Sequence, residues 1–212
     1  MSDDLQTMVR RIRGDLNRGV NALPDLRIKE AITDAIKRFR AKRLGFNQKN
    51  SQTVLLSAQE VIALPTGWIE VDFLRLERAN DRIPMREVSY DWIEERQRGE
   101  PNEGEPRKYA IQNRQLRFYP IPDQSFTLVM SFLCDLPEVS VSASDSATNA
   151  WMVEGEELIR KQAMGDLLVT YIGGSRVIEG KAMLEEVDQV ILPTLESKAA
   201  REQTSGRVEP FL

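Results

Sequence analysis

Two clusters of glutamates are the residues whose type and spacing come closest to catalytic chemistry. Glu94 and Glu95 are adjacent, and Glu154, Glu156 and Glu157 fall within one short stretch. A glycosidase needs two carboxylates roughly 5 to 9.5 Å apart, on opposite sides of a sugar. Acidic neighbours on a helix are more often part of a solvated face. A cell-wall glycosidase that uses these pairs therefore stays open as an alternative function, and a carboxylate metal site is no better supported.

The composition argues against several other classes of catalytic site. The 212 residues include no histidine, which removes the usual general base of Ser/His and Cys/His catalysis and the usual nitrogen ligand of zinc. Cys134 is the only cysteine, so an intrachain disulfide is impossible, and its apolar neighbours predict a buried thiol. The sequence contains no glycine-rich phosphate-binding loop. We therefore expect no enzyme activity, no cofactor and no metal.

Basic residues are concentrated near the start of the sequence. The net charge is +6 over residues 1–50 and −10 over residues 51–212, which gives −4 for the chain. Phe39 and Phe46 are the only aromatic residues of the basic segment, so stacking on single-stranded nucleic acid is not indicated. Solvated helix faces and compensation of the helix dipole account for most of these cations. A DNA-binding protein that uses the basic N-terminal helices remains a second alternative.

Apolar residues spaced by three and four predict a pair of amphipathic helices at the start of the chain. The first covers residues 4–20 and carries its charges on the opposite face. The second begins at Asp25, which is a plausible N-cap, and runs to about Arg43. No run of apolar residues approaches the length of a membrane span.

A second pair of helices is predicted after residue 148. The first of the two starts near Asn149 and stops at Gly173 and Gly174, which suit a C-terminal cap. The last helix begins at Ser175, and Pro193 is expected to kink or end it. Its predicted buried side consists of Ile178, Met183, Leu184, Val187, Val190 and Ile191.

Between the helix pairs, alternation of apolar and polar residues predicts an antiparallel β-region. Asn80 and Asp81 are expected to form a two-residue hairpin turn. Ser89 is expected to cap a short helix over residues 90–98. The predicted strands cover residues 53–57, 61–64, 69–78, 109–111, 116–118 and 126–134.

The predicted fold class is α+β, and its parts alternate along the chain. Because such helices are unstable alone, residues 1–50 and 148–195 are expected to close on each other as one antiparallel helical bundle. Residues 51–147 form the inserted antiparallel β-sheet region with its short helix. Residues 196–212 form an extended C-terminal tail that ends in apolar residues. Such a tail is either disordered or ordered by docking on a partner, and we favour docking.

The order of these elements and several local motifs resemble the head-to-tail adaptor proteins of tailed bacteriophages. These are also called connector, head-completion or tail tubular proteins. The resemblance extends over about residues 26–195. It is carried by the helix at residues 28–39, Ile62-Ala-Leu-Pro-Thr-Gly-Trp68, Gly104-Glu-Pro-Arg-Lys-Tyr-Ala-Ile111, Leu116-Arg-Phe-Tyr-Pro-Ile-Pro122 and Asn149-Ala-Trp151 with the helix that follows.

This resemblance implies a structural, non-enzymatic protein of the virion, made in the host cytoplasm and located at the head–tail junction. It implies a ring of twelve copies below the portal that continues the DNA channel and provides a platform for tail attachment. Its partners would be other copies of itself, the portal protein and a downstream tail or nozzle protein. Double-stranded DNA would pass through the lumen without sequence-specific binding, and no membrane would be involved. The implied portal-docking tail contains Arg201, Arg207, Val208, Phe211 and Leu212.

Overall fold

The fold is mixed α+β with helices and mainly antiparallel sheets, which confirms the predicted class. The chain divides into a helical unit, made of Met1–Asn47 and Asp135–Leu212, and a sheet unit, Gln48–Cys134. The computed structural model describes residues 4–16, 23–78, 81–98, 102–136 and 148–205.

Seven α-helices occur in the described residues, and all but the third belong to the helical unit. They are α1 (Leu5–Leu16), α2 (Asp25–Phe39), α3 (Tyr90–Gln97), α4 (Ala150–Val153), α5 (Glu156–Leu167), α6 (Val177–Glu186) and α7 (Leu192–Ser205).

The first two helices bury the apolar stripes that their spacing predicted. The buried side chains of α1 and α2 include Leu5, Met8, Val9, Ile12, Leu16, Ile28, Ile32, Ile36 and Phe39. Two predicted bounds were too long, because α1 ends at Leu16 and α2 ends at Phe39. The predicted N-cap was also wrong: Pro24 occupies that position with extended backbone, and Asp25 is the first helical residue. The Asp25 carboxylate instead pairs with Arg13.

A close helix crossing holds α5 against α6. A Cβ added at Gly165 would lie 2.7 Å from Leu184 Cδ2, and one added at Gly180 would lie 2.8 Å from Leu168 Cβ. Only glycine therefore fits both positions at this separation of the helices. Beyond α5 the chain forms a π-helical segment, Leu168–Ile172, which ends at Gly173 with φ of 62°. The predicted C-terminal cap is confirmed.

The last helix differs from its prediction in two ways. A second π-helical segment, Val187–Ile191, precedes α7, and the Leu192 N–H donates to the Val187 carbonyl five residues earlier. Pro193 follows within the first turn of α7, where its missing N–H is tolerated, so the helix continues to Ser205. The predicted extended tail is therefore wrong for residues 196–205, which are helical. Residues 206–212 lie outside the described part of the chain.

The predicted buried side of this helix was only partly right. Val187 is buried, but 78% of Ile178 and 56% of Val190 are exposed. The residues of this helix that are buried are Gly180, Val187, Leu192 and Ala199, of which two are too small to cover much surface. The helix consequently has more apolar surface than its own unit covers.

The sheet unit contains two four-stranded sheets and one two-stranded sheet. Its strands are β1 (Gln48–Leu55), β2 (Val61–Ala63), β3 (Trp68–Arg78), β4 (Asp81–Pro84), β5 (Arg86–Glu87), β6 (Glu103–Gly104), β7 (Lys108–Gln112), β8 (Gln115–Tyr119), β9 (Ile121–Pro122) and β10 (Phe126–Cys134). The strand orders are β1-β10-β3-β4, β2-β8-β7-β5 and β6-β9. All pairs are antiparallel except β5 with β7 and β6 with β9.

The predicted hairpin of residues 109–118 and the predicted strand over residues 126–134 are both confirmed. Tyr109 lies opposite Phe118 and Ile111 opposite Leu116 in the predicted second hairpin. Phe126–Cys134 forms β10, whose alternate side chains Phe126, Leu128, Met130 and Phe132 are buried. Ser89 caps α3 as predicted, because its hydroxyl accepts a hydrogen bond from the Trp92 N–H at 3.3 Å.

The first predicted hairpin turn was misplaced by one residue. Asp81 lies opposite Arg78 in the β3–β4 pair, so it belongs to a strand and the connection consists of residues 79 and 80. Those two residues lie outside the described part of the chain. The strand predicted over residues 53–57 begins earlier, at Gln48, and ends at Leu55.

Asn47 is fully buried at the end of the first helical segment and holds the loop that leads into β1. Its Oδ1 accepts from the Leu44 N–H at 2.9 Å, and its Nδ2 donates to the Lys42 carbonyl at 2.6 Å. The side chain thus replaces the backbone partners that the loop lacks.

Candidate assembly surfaces

Three of the five glutamates that were candidates for a glycosidase site form ion pairs. Glu94 binds Arg117 in the sheet unit. In the helical unit, Glu156 lies 3.3 Å from Arg11 and 3.0 Å from Arg160. These carboxylates already contact arginine side chains of their own unit, whereas the two carboxylates of a glycosidase must flank a sugar. Glu157 similarly lies 3.5 Å from Lys161. These contacts assign the paired carboxylates to the ionic surface of the helices.

The basic helices at the start of the chain are matched by acidic partners from the second half of the same unit. The pairs that join the two sequence segments of the unit are Arg11–Glu156 at 3.3 Å, Arg38–Asp188 at 3.5 Å, Lys42–Glu196 at 3.7 Å and Arg40–Asp135 at 3.8 Å. Exposed pairs of this type contribute about 0 to 1 kcal/mol each. The contrast in charge between the two segments is thus compensated within one unit, which weakens the case for DNA binding by these helices.

The helical unit exposes large apolar side chains near the end of the first π-helical segment. The Arg27 guanidinium lies 5.1 Å from the centre of the Tyr171 ring, so the start of α2 lies beside that segment. Leu26 and Tyr171 are both exposed there. Exposed apolar groups that lie together on a soluble protein are typical of a surface that a partner covers.

Arg117 fixes the short helix of the sheet unit to the strand beneath it. Its guanidinium donates to the Tyr90 hydroxyl at 2.7 Å and to Gln97 Oε1 at 2.5 Å, and it also binds Glu94. All three partners lie on α3, whereas Arg117 lies on β8. The contacts orient α3 so that Trp92, on another side of the helix, meets the neighbouring strand.

Trp92 is the centre of an aromatic and cationic cluster on the sheet unit. Lys108 Nζ lies 3.8 Å from the centre of its ring, and the Arg96 guanidinium carbon lies 4.7 Å from it. Tyr119 packs edge-on against the indole at 5.3 Å. Trp151 of the helical unit is fully buried, whereas Trp92 is only half-buried.

The family of the chain can be assigned by comparison. The family model described as SU10 adaptor protein matches residues 3–164, which include α1 to α5 and the whole sheet unit. The chain belongs to the SU10 adaptor family. The resemblance to phage head-to-tail adaptors is thereby confirmed, and the family is one of structural phage proteins. No curated protein matches the chain.

Residues 165–212 of this SU10 adaptor lie beyond the family match and include the whole of the predicted docking tail. Arg201 lies on α7 and is exposed. The other four predicted tail residues, Arg207, Val208, Phe211 and Leu212, lie outside the described residues. Within the described ranges, the helices are too short or too polar to cross a membrane, and no cluster of acidic or thiol side chains suits a metal ion.

One tyrosine of the adaptor has a strongly shifted pKa. Burial, together with the nearby Glu87 carboxylate, raises the pKa of Tyr109 to about 12. The Tyr109 hydroxyl donates to Glu87 at 3.5 Å, and its ring lies in the core beneath the β5–β7 pair. This tyrosine is a core residue that links β7 to β5.

Proposed function

We propose that this SU10 adaptor forms a ring, of twelve copies, below the portal at the head–tail junction of the virion. The ring continues the DNA channel, lets double-stranded DNA pass without sequence-specific contact, and provides the platform for the downstream tail or nozzle protein. The observation that carries the proposal is the family match, which covers more than half of the chain and both of its units. The function is assembly rather than catalysis.

The exposed apolar side chains of the helical unit support an assembly function. Ile178 leaves 78% of its side chain exposed, and Val190 leaves 56% exposed. Covering such a side chain stabilises a contact by about 1 to 2 kcal/mol, because apolar surface leaves water. Several contacts of this size in every copy accumulate around a closed ring, since each copy contacts two neighbours.

The C-terminal segment supports portal docking. Helix α7 carries Arg201 and ends at Ser205, ten residues after the predicted end of the helical region. Residues 206–212 then supply Arg207 as a cation and Val208, Phe211 and Leu212 as apolar anchors. We place the start of the docking segment after Ser205, and we assign its affinity to burial of the three apolar side chains on the portal.

Truncation after Ser205 tests this proposal more sharply than removal of residues 197–212, because it leaves α7 intact. We expect the truncated chain to keep its helical circular dichroism and to lose at least tenfold in affinity for portal rings of its own phage. The matched control replaces residues 206–212 by seven glycine and serine residues, and it should bind as weakly as the truncated chain. Unchanged binding by both variants would remove the tail from the docking mechanism.

Electron microscopy of the full chain mixed with portal rings tests the larger claim. We expect a ring of twelve copies on the portal, with a central opening wide enough for duplex DNA. If the full chain forms no ring, alone or on the portal, the proposed function is wrong.

A further inference from the structure

The sheet unit presents two different surfaces, and both lie near β8. One surrounds the turn that follows the edge strand β1, where the Ala58 N–H donates to the Pro122 carbonyl at 2.7 Å. The other is centred on α3, which packs across β7 and β8 and places Trp92 against Tyr119.

The surface around the turn after β1 is apolar and acidic. Among the large apolar side chains that the structure shows as exposed, the two in the sheet unit are Val54 and Leu56, each 56% exposed. The Ser57 hydroxyl donates to the Asp123 carbonyl at 3.1 Å, which places exposed Asp123 beside this turn. We call Val54, Leu56 and Asp123 the edge patch.

The surface formed by α3, β7 and β5 is aromatic and basic. Arg86 lies directly opposite Lys108 in the parallel β5–β7 pair, so the two cations share one side of the sheet. Like charges in this position destabilise a strand pair. Lys108 and Arg96 also contact Trp92. We call Trp92, Arg86, Arg96 and Lys108 the tryptophan cluster.

The cations of the tryptophan cluster differ from other arginines of the sheet unit in their salt bridges. In the described residues, salt bridges engage Arg75, Arg82, Arg107 and Arg117 of the same unit, but none involves Arg86, Arg96 or Lys108. Within the described residues, Arg86 and Lys108 thus lie opposite each other without a salt-bridge partner, beside a half-buried tryptophan. Tryptophan and arginine are the residues most enriched at the energetic centres of protein interfaces.

We propose that the tryptophan cluster of one copy binds the edge patch of the next copy. The indole covers Val54 and Leu56, and the cations face Asp123, so that the two surfaces match in both polarity and charge. Because the two surfaces are made of different residues, the contact is heterologous, and a chain of copies keeps one free patch and one free cluster until the ring closes. The inference rests on the proposed ring and identifies one of its contacts.

A mixing experiment with two variants tests the heterologous contact. Leu56→Asp removes the edge patch, and the double variant Arg96→Glu with Lys108→Glu removes the tryptophan cluster. Each variant alone should be monomeric in native mass spectrometry and sedimentation velocity, at concentrations where the unaltered chain assembles. An equimolar mixture should form a dimer that does not grow, because one intact patch and one intact cluster remain. All substituted side chains are exposed or half-buried, and circular dichroism checks the fold.

A charge swap and a matched control complete the test. Adding Asp123→Lys to the double variant should restore at least part of the assembly, because the charges are complementary again. Arg78→Glu with Arg114→Glu makes the same charge change on exposed cations of the same unit, and it should leave assembly unaltered.

Four results would overturn the inference. The first is assembly of both variants at the concentration of the unaltered chain, and the second is an unaltered chain that stays monomeric at millimolar concentration. The third is loss of affinity for a 30-base-pair DNA duplex in the double variant while assembly persists, which would assign the cluster to nucleic acid. Rings of the double variant on the portal also overturn the inference but leave the proposed function standing. Failure of the unaltered chain to form any ring there would instead refute the proposed function.

Discussion

Replacing Gly180 by alanine should destabilise the helical unit, although alanine is the better helix former. A Cβ at this position would lie 2.8 Å from Leu168 Cβ and 2.9 Å from both the Gly165 carbonyl oxygen and Val169 Cγ2. Rotation of a side chain cannot move a Cβ or a backbone oxygen, so α6 must move away from α5. Overpacking of this kind costs about 1 to 3 kcal/mol, and the higher helix propensity of alanine offsets about 1 kcal/mol of it.

Gly14→Ala is the matched control for this prediction. Gly14 lies within α1, and a Cβ added there meets no heavy atom within 4 Å. The substitution therefore brings the gain in helix propensity without a clash, and it should stabilise the unit by up to about 1 kcal/mol. The two variants make the same chemical change and should shift the stability in opposite directions.

Urea unfolding followed by circular dichroism at 222 nm measures both effects. Trp151 lies in the helical unit, whereas Trp68 and Trp92 lie in the sheet unit, so single-tryptophan variants separate the two transitions if they do not coincide. In a thermal scan of the same variants, a change of 1 kcal/mol in the free energy of unfolding corresponds to about 2 to 4 °C in Tm for a chain of this size. A midpoint for Gly180→Ala at or above that of the unaltered chain would refute the close contact between α5 and α6. Destabilisation by Gly14→Ala would show that this substitution is not a valid control for Gly180→Ala.

Two further predictions concern single buried polar groups. Since the pKa of Tyr109 is raised to about 12, the folded state keeps the phenol proton that the unfolded chain loses above pH 10, so stability should be complete below pH 10 and fall by about 1.4 kcal/mol per pH unit up to pH 12. Tyr109→Phe should lack this part of the fall, as measured by urea midpoints across that range, and equal slopes in both proteins would contradict the assignment. Asn47→Ala should cost about 1 to 3 kcal/mol, because the Leu44 N–H and the Lys42 carbonyl lose their partner. A midpoint within 0.3 M of the unaltered chain (about 0.5 kcal/mol) would show that water replaces the amide.

The parts of the fold that the sequence predicted well depend on local backbone preferences. The β7–β8 hairpin has alternating apolar residues on both sides of Asn113 and Arg114, which adopt φ of 51° and 60° in the tight turn. β10 shows the same alternation over nine residues. Ser89 is the N-cap of α3, and its hydroxyl accepts a hydrogen bond from the backbone N–H three residues later, as N-cap side chains do. In each case residues a few positions apart determine the structure.

The last helix shows where local patterns fail. The spacing of its apolar residues indicated one apolar face, but it did not say whether the chain itself or a partner covers that face. Ile178 and Val190 are therefore exposed where burial was predicted. Pro193 was expected to disturb the helix, but the π-helical segment before it moves the hydrogen bonds by one residue, and periodicity does not reveal such a segment.

The tryptophan cluster also required the tertiary structure. Trp92 and Arg96 lie four residues apart on one helix, which the sequence shows, but Lys108 joins them only because α3 packs across β7 and β8. The contacts of Arg117 with α3 set that orientation. The opposite charges of the two segments were visible in the sequence. That these opposite charges compensate each other within one chain is shown only by the ion pairs of the helical unit.

The strands that begin and end the sheet unit are hydrogen-bonded neighbours. Gln48 starts β1 and lies opposite Leu133, one residue before the end of β10, so the backbone enters and leaves the unit at adjacent points. A short turn is long enough to connect Asn47 with Asp135 directly. These 87 residues can therefore be lengthened, shortened or exchanged in evolution while the connection between the flanking helical segments stays the same.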